Sequence, residues 1–319
     1  MPQVLAHLHC IAPSGPLLNI ERATRGLQWL ENQGFVIHNA TAANRQFERF
    51  AGMDHERAHE INALAEMVND DGLIAMGIRG GYGMTRILPQ IAWIKLGQAV
   101  AKGLSIVGHS DLTVLHLGLL AQTGMPSYAG PMISADFGNE SSAEISQFTY
   151  QHFIQAVINK KLDIQVEHSQ EFYTGPPIEF RRKTLWGGNL SMLVSLLGTP
   201  YFPSKETIHQ GILFIEDVNE HPYRVERMLL QLVQANVLNS QSAILVGDFS
   251  GYQLGPLDAD YSLLKALGRV SQELQQLGTG TAIVSGLPFG HCVDKVTLPV
   301  GISCDLDLST QGFKLSGSW

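Results

Sequence analysis

Along the first half of the chain, short apolar runs alternate with stretches whose apolar residues recur every three or four positions, the pattern of strands followed by amphipathic helices. VLAHLHCIAPSG reads as a first strand and loop. Residues 19–33 set Ile20, Ala23, Leu27 and Leu30 at helical spacing, and Gly34 supplies a stop. A helix over 54–69, the run GLIAMGI, a helix over 85–100, the run LSIVG and a helix over 111–123 continue the alternation. This order predicts an α/β domain built on a largely parallel sheet.

Between about residues 163 and 184 the texture turns polar and Pro-containing, which predicts strands and an interdomain linker. The expected organisation is an N-terminal α/β domain over 1–165, linker and strands over 166–184, and a C-terminal mixed α/β domain over 185–319. LWGGNLSMLVSLLG predicts a loop entering a helix. GILFIED, SAILVGDF and TAIVSGLPFGH then alternate with helices over 222–236 and 261–276. The closing stretch, KVTLPVGISCDLDLSTQGFKLSG, alternates apolar and polar residues around turn signals and predicts antiparallel strands.

Composition narrows the functional classes. A chain of 319 residues exceeds the usual size of one core, in keeping with two domains. With 45% apolar and 16% charged residues it has the make-up of a globular enzyme rather than a disordered chain. Its net charge of −8 would be repelled by phosphate backbones, so nucleic acid is not an expected partner, and neither is a membrane. The N-terminus carries no basic residue before Arg22 and is interrupted by His7, His9 and Pro13, unlike a signal peptide. Three cysteines, Cys10, Cys292 and Cys304, without metal spacing suit a reducing cytoplasm, the expected location. Cys292 adjoins His291, but one histidine is little to activate a thiolate, so it reads as a loop residue.

In open α/β sheets, ligands gather beyond the carboxyl ends of strands, so the residues just past each apolar run are the candidates for chemistry. The run ending at Gly108 delivers His109, Ser110 and Asp111; the run ending at Ile78 delivers the loop R79-G80-G81-Y82-G83. The run ending at Ile215 delivers Glu216 and Asp217, and the one ending near Ser285 delivers Gly290 and His291. A strand, sharp turn and helix would expose the Ser110 hydroxyl and aim the next N–H at a developing oxyanion. Leu112 stands where hydrolase elbows carry glycine, so on local sequence alone Ser110 or Asp111 reads rather as a helix N-cap.

The loop RGGYG is no dinucleotide fingerprint, because Arg86 occupies the third glycine position of G-x-G-x-x-G. Gly80 or Gly81 can instead offer a second oxyanion N–H, or form a plain tight turn. Glu216, Asp217, Glu220 and Asp248 are alternative partners for an imidazolium, and His291 lies in a Gly/Pro-rich loop suited to projecting into a cleft. The pairs His7/His9 and His55/His59 could each put two imidazoles on one face, but neither is completed as a zinc motif, and no metal is expected.

Taken in order, RGGYG, GHSD, LWGGNLSML, LFIEDVNEHPYRVERMLLQL and GLPFGH with TLPVG resemble the LD-carboxypeptidase family, peptidase family S66, and within it the murein tetrapeptide carboxypeptidases. The likeness runs from IAPSG at 11–15 to the final strands. It implies a Ser, Glu, His triad at Ser110, Glu216 and His291, with the serine on the N-terminal domain, its partners on the C-terminal domain, and the active site in the interdomain cleft. The oxyanion hole would come from the N–H of Asp111 and of Gly80 or Gly81. The implied reaction is release of terminal D-alanine from a muropeptide tetrapeptide, without cofactor, by a homodimer. Arg79 is the candidate for the substrate carboxylate, and Trp186 and Asn189 are candidate cleft-lining groups. Two other functions fit the same features: a hydrolase of peptidyl or aminoacyl nucleotides resembling the microcin C self-immunity enzymes, and a non-catalytic muropeptide-binding protein.

Overall fold

The computed structural model describes residues 4–68, 72–140, 145–167, 177–258 and 260–319. Among these, the first half supplies β1 (Ala6–Ile11), β2 (Phe35–His38), β3 (Leu73–Gly77), β4 (Leu104–Gly108) and β5 (Ser127–Ala129). The second half supplies β6 (Lys161–Glu167), β7 (Ile178–Asn189), β8 (Ile212–Val218), β9 (Ala243–Ser250), β10 (Ala282–Ser285), β11 (Leu298–Val300), β12 (Ile302–Ser309) and β13 (Gly312–Ser318). They form two sheets, in the orders β11-β5-β4-β3-β1-β2 and β10-β9-β8-β7-β12-β13-β6.

The first sheet is parallel except at its edge, where β11 pairs antiparallel with β5. Its central strands are apolar on both faces: β3 and β4 are buried throughout, as strands covered by helices on both sides must be. In the second sheet β7 to β10 are parallel, while β7, β12, β13 and β6 are antiparallel. The architecture is a mixed α/β fold of two sheets. Chain order and sheet membership are interleaved, since β6 joins the second sheet and β11 the first. One apolar core runs through both, from Ala75 and Ile106 past Leu112 and Leu115 to Trp186, Leu213 and Leu306. A second lies between the first sheet and the helix Ile20–Asn32, with Leu8, Leu27, Leu30, Phe137 and Phe153.

Two local expectations need correction. The helix over 85–100 is broken: Met84–Ile87 is followed by a 3-10 turn, Leu88–Gln90, and a new helix starts at Trp93. Pro89 cannot donate to the preceding turn, so the helix restarts beyond it. The segment W186-G187-G188-N189 is strand, not loop, as the last residues of β7. A Cβ on Gly187 would lie 1.9 Å from the carbonyl oxygen of Phe214, so the glycine there marks close approach of β7 to β8 rather than a turn. Of the linker expected over 166–184, residues 168–176 lie outside the described residues. Among the described residues, no helix is long and apolar enough to cross a membrane.

Candidate active site

At the end of β4 the chain turns sharply through Ser110, whose φ of 60° lies in the left-handed region. For a residue with a Cβ that conformation costs about 1–2 kcal/mol, and such strain persists only where surrounding contacts enforce it. The contacts are visible. A 3-10 turn over Ser110–Leu112 runs straight into the helix Thr113–Thr123. His116, one turn into that helix, bonds the carbonyl of Gly108 through Nε2 at 2.9 Å and meets the Ser127 hydroxyl through Nδ1 at 2.9 Å. A carbonyl only accepts, so Nε2 carries the proton, and burial pushes the imidazole down to about 4. His116 is thus a neutral brace beneath the turn, fixing the end of β4 against β5.

The glycine-rich loop lies directly on this turn. A Cβ built on Gly80 would lie 2.8 Å from both Cβ and Oγ of Ser110 and 3.4 Å from the backbone N of Asp111. Gly81, with φ +111°, faces Gly15 instead. Asp111 ties the loop down: its buried carboxylate accepts from the N–H of Met84 at 2.9 Å. Burial raises its pKa, opposed by Ser14, the Met84 N–H and Arg57. The Asp111 side chain therefore holds the loop, while its backbone N stays beside the Ser110 hydroxyl.

On the second sheet Glu216 lies within β8, where the register against β9 shifts between Ile215 and Asp217. The irregularity makes room for the loop after β10. The Phe289 carbonyl accepts from the N–H of Asp248 at 2.8 Å, and a Cβ built on Gly290 would lie 3.0 Å from the Cβ atoms of both Asp248 and Glu216. His291 comes next, with Nδ1 2.8 Å from Oε2 of Glu216, a carboxylate with no solvent exposure. Burial alone would lower the pKa of His291. The hydrogen bond and charge of Glu216 outweigh it, so the net shift is upward, with Lys295 opposing and Asp217 assisting.

The neighbouring acids are otherwise engaged. Asp217 accepts from Asn189 Nδ2 at 3.0 Å, the Val218 N–H at 2.9 Å, and the N–H and hydroxyl of Ser191 at 2.8 and 2.6 Å. Asp248 accepts from the Ser250 hydroxyl at 2.6 Å, and Glu220 lies 3.8 Å from Arg224. Of these carboxylates, Glu216 is the one that meets His291.

The two halves of the site meet through His109, buried just before Ser110, whose ring stands edge-on to that of His291 at 5.1 Å. Its Nδ1 bonds the Gly130 carbonyl at 2.9 Å; burial, then the charges of Lys295 and His291, holds it well below its ordinary pKa. His109 and His291 share a cavity of about 230 Å³ with Lys295, whose buried ammonium pairs with Asp136. Sequence reasoning puts His109 at a strand end without giving it a role, and does not find His116 or Lys295 as parts of the site. The first two sit one residue before and six after Ser110, and that adjacency is the one signal that could have found them.

The candidate substrate-binding groups divide. Trp186 is wholly buried, its Nε1 donating to Gln241 Oε1 at 2.9 Å and its ring edge-on to Phe202, so it is a core residue and lines no cleft. Asn189 is also buried. It caps the helix Leu190–Ser195, bonds Asp217, and donates its backbone N–H to Thr113 Oγ1 at 2.9 Å, joining the second sheet to the helix after Ser110. Arg79 is half-buried, with Nη1 on the Pro16 carbonyl at 2.8 Å. His55 and His59 lie exposed on the helix Asp54–Met67, and His7 stacks on His38. Among the described residues no three potential ligands cluster as a metal site. The Cys292 thiol donates to the Asp294 carbonyl at 3.1 Å, and burial pushes it up to about 11, a poor state for a nucleophile.

This arrangement suits acyl transfer: a hydroxyl on a strained turn beside backbone N–H groups, and an imidazole whose tautomer a buried carboxylate fixes. Comparison with known proteins points the same way. Residues 8–130 match the LD-carboxypeptidase N-terminal domain and residues 183–306 the LD-carboxypeptidase C-terminal domain. A probable murein peptide carboxypeptidase of Bacillus subtilis is 31% identical, over 94% of this chain and 88% of that protein. The crystal structure of muramoyltetrapeptide carboxypeptidase from Oxalobacter formigenes superposes with a TM-score of 0.84 at 37% identity, covering 98% of both chains. The microcin C7 self-immunity protein of Escherichia coli is 25% identical over 92% of this chain and 88% of its own.

Proposed function

The chain belongs to the LD-carboxypeptidase family, and from that premise we propose that it is a serine carboxypeptidase releasing terminal D-alanine from muropeptide tetrapeptides, with Ser110, Glu216 and His291 as its triad. The observation that carries the reading is the 2.8 Å bond from His291 to the buried Glu216, with the His291 ring 5.1 Å from that of His109, the residue before the strained turn of Ser110. In this mechanism Ser110 attacks the scissile carbonyl while His291 takes its proton and later passes it to the leaving amine. Glu216 keeps Nδ1 protonated and stabilises the imidazolium. The N–H groups of Asp111 and Gly80 receive the developing oxyanion, and Ser110 becomes acylated and is then freed by water.

In this reading the first sheet's Ser110 and the second sheet's Glu216 and His291 work from facing walls of one cleft, and the strand-turn-helix at Ser110 acts as a nucleophile elbow. The leaving group is expected to be small and polar, since His109 and the Lys295–Asp136 pair line the cavity beside His291.

Mass spectrometry of products from tetrapeptides carrying an LD- or an LL-linked terminal alanine, each with meso-diaminopimelate or lysine, tests the assignment. D-alanine release from LD-linked peptide by the wild type, lost in S110A, is the expected result. Cleavage confined to an aminoacyl sulfamoyl nucleotide would move the chain to the immunity-type reaction. Binding of tetrapeptide with no turnover would make it a binding protein.

A further inference from the structure

We infer that Arg22 receives the substrate's terminal carboxylate, at the edge of the cavity that His291 and His109 line; this rests on the carboxypeptidase reading above. Covalent geometry limits where such a receptor can lie. His291 delivers its proton to the leaving amine, so the departing amino acid occupies the His291 side of the scissile bond. In an α-amino acid one carbon separates amine and carboxylate, so the carboxylate oxygens lie within about 4 Å of the nitrogen. Their receptor must therefore border the same small cavity as His291.

That cavity is lined by Arg22, His109, Met132, Ala135, His291 and Lys295, among others, and its volume is about 230 Å³. A water's share of the liquid is about 30 Å³, so the space has room for an amino acid the size of alanine. Met132 and Ala135 offer apolar contact to a methyl side chain. Lys295 is already paired: its ammonium is buried against Asp136, which also accepts from the Met132 N–H at 2.7 Å. Arg79 is not among the lining residues and is held on the Pro16 carbonyl.

Arg22 differs from both. On the first turn of the helix Ile20–Asn32, its guanidinium meets only neutral acceptors among the described residues, the Ala135 carbonyl at 3.4 Å and Asn139 Oδ1 at 3.3 Å. Both bonds are long, and both approach through Nη2. The guanidinium fork keeps further N–H groups for two parallel bonds to a carboxylate, and the two weak contacts hold it at the cavity. A free C-terminal carboxylate is thus read by charge.

The test compares wild type, R22M and R22K on two peptides, a tetrapeptide ending in free D-alanine and the same peptide ending in D-alaninamide, with kcat and KM measured separately. The expected result is a wild-type preference for the acid that R22M reduces about 10- to 100-fold, chiefly through KM for the acid, and that R22K partly restores. The amide serves as the internal measure of folding, because damage to the fold lowers both rates together and leaves their ratio intact. A wild-type ratio retained by an active R22M overturns the assignment of Arg22, as does a collapse of the ratio in R79M with R22M unaffected. Failure of the wild type to release D-alanine from the acid or D-alaninamide from the amide overturns the carboxypeptidase reading, and this one with it.

Discussion

Glu216 meets His291 through one oxygen, Oε2 to Nδ1 at 2.8 Å, with the carboxylate sealed from solvent and the imidazole a quarter exposed. Burial favours the neutral imidazole and the carboxylate favours the charged one; the carboxylate prevails. A general base works only when neutral. The acidic limb of kcat/KM is therefore expected above the ordinary histidine value of about 6.5, with activity lost as pH falls through it. In E216Q the opposing burial and Lys295 charge remain while the carboxylate is gone. The limb should move below about 6.5 and kcat should fall by about 10³–10⁴. A pH profile of both proteins checks this; an unmoved limb would remove Glu216 from its assigned role.

Asp217, the next residue, predicts the opposite signature. Its four accepted hydrogen bonds join β8 to Asn189 and Ser191, so D217A strands several buried donors. Stability should drop by roughly 3 kcal/mol, seen as a lower urea midpoint, while the acidic limb of the pH profile stays near the wild-type position. Loss of activity without loss of stability would exchange the roles of the two acids.

Gly80 predicts a steric effect confined to the site. In G80A the added methyl would lie 2.8 Å from the Ser110 hydroxyl and Cβ, so the loop or the serine must shift. A displacement near 1 Å at reacting atoms costs about a hundredfold, so kcat should fall by about that factor with an unchanged far-UV circular dichroism spectrum. Wild-type kcat in G80A would show that the loop does not bear on the reaction.

His116 predicts acid sensitivity of the fold itself. Its folded pKa of about 4 lies below the unfolded value of about 6.5, so the unfolded chain binds the extra proton between those values. The stabilisation is whole above about pH 6.5 and is lost as pH falls toward about 4, amounting to roughly 3 kcal/mol at about 1.36 per unit. Urea titrations at pH 7 and pH 4.5 should show this drop in the wild type and a shallower one in H116Q. Equal slopes in the two proteins would refute the neutral brace.

Much of the site is legible in the sequence because strand ends announce themselves: apolar runs terminate at Gly108, Ile78 and Ile215, and the residues beyond them are those that gather there. Orientation is what stays hidden. Glu216 and Asp217 are adjacent carboxylates on one strand, and successive side chains point to opposite faces. Deciding between them needs the partner strand and the register shift that receives Gly290. Trp186 departs from its expected place for a related reason: a glycine pair signals a turn or a close approach with equal force, and the choice lies in the position of Phe214 on the neighbouring strand. His109, His116 and Lys295 are invisible as a group, because their relation to His291 and Gly108 crosses from one sheet or element to another.

The return of β11 to the first sheet bears on the order in which a growing polypeptide becomes active. His291 lies between β10 of the second sheet and β11 of the first, and β12 re-enters the second sheet immediately afterwards. On a ribosome, the first five strands emerge long before the edge strand that completes their sheet. The serine turn would then wait, unpartnered, until the chain has grown past His291. In the reading proposed above, no fragment that ends before His291 carries the triad, so hydrolysis would begin only once the chain has grown past that residue.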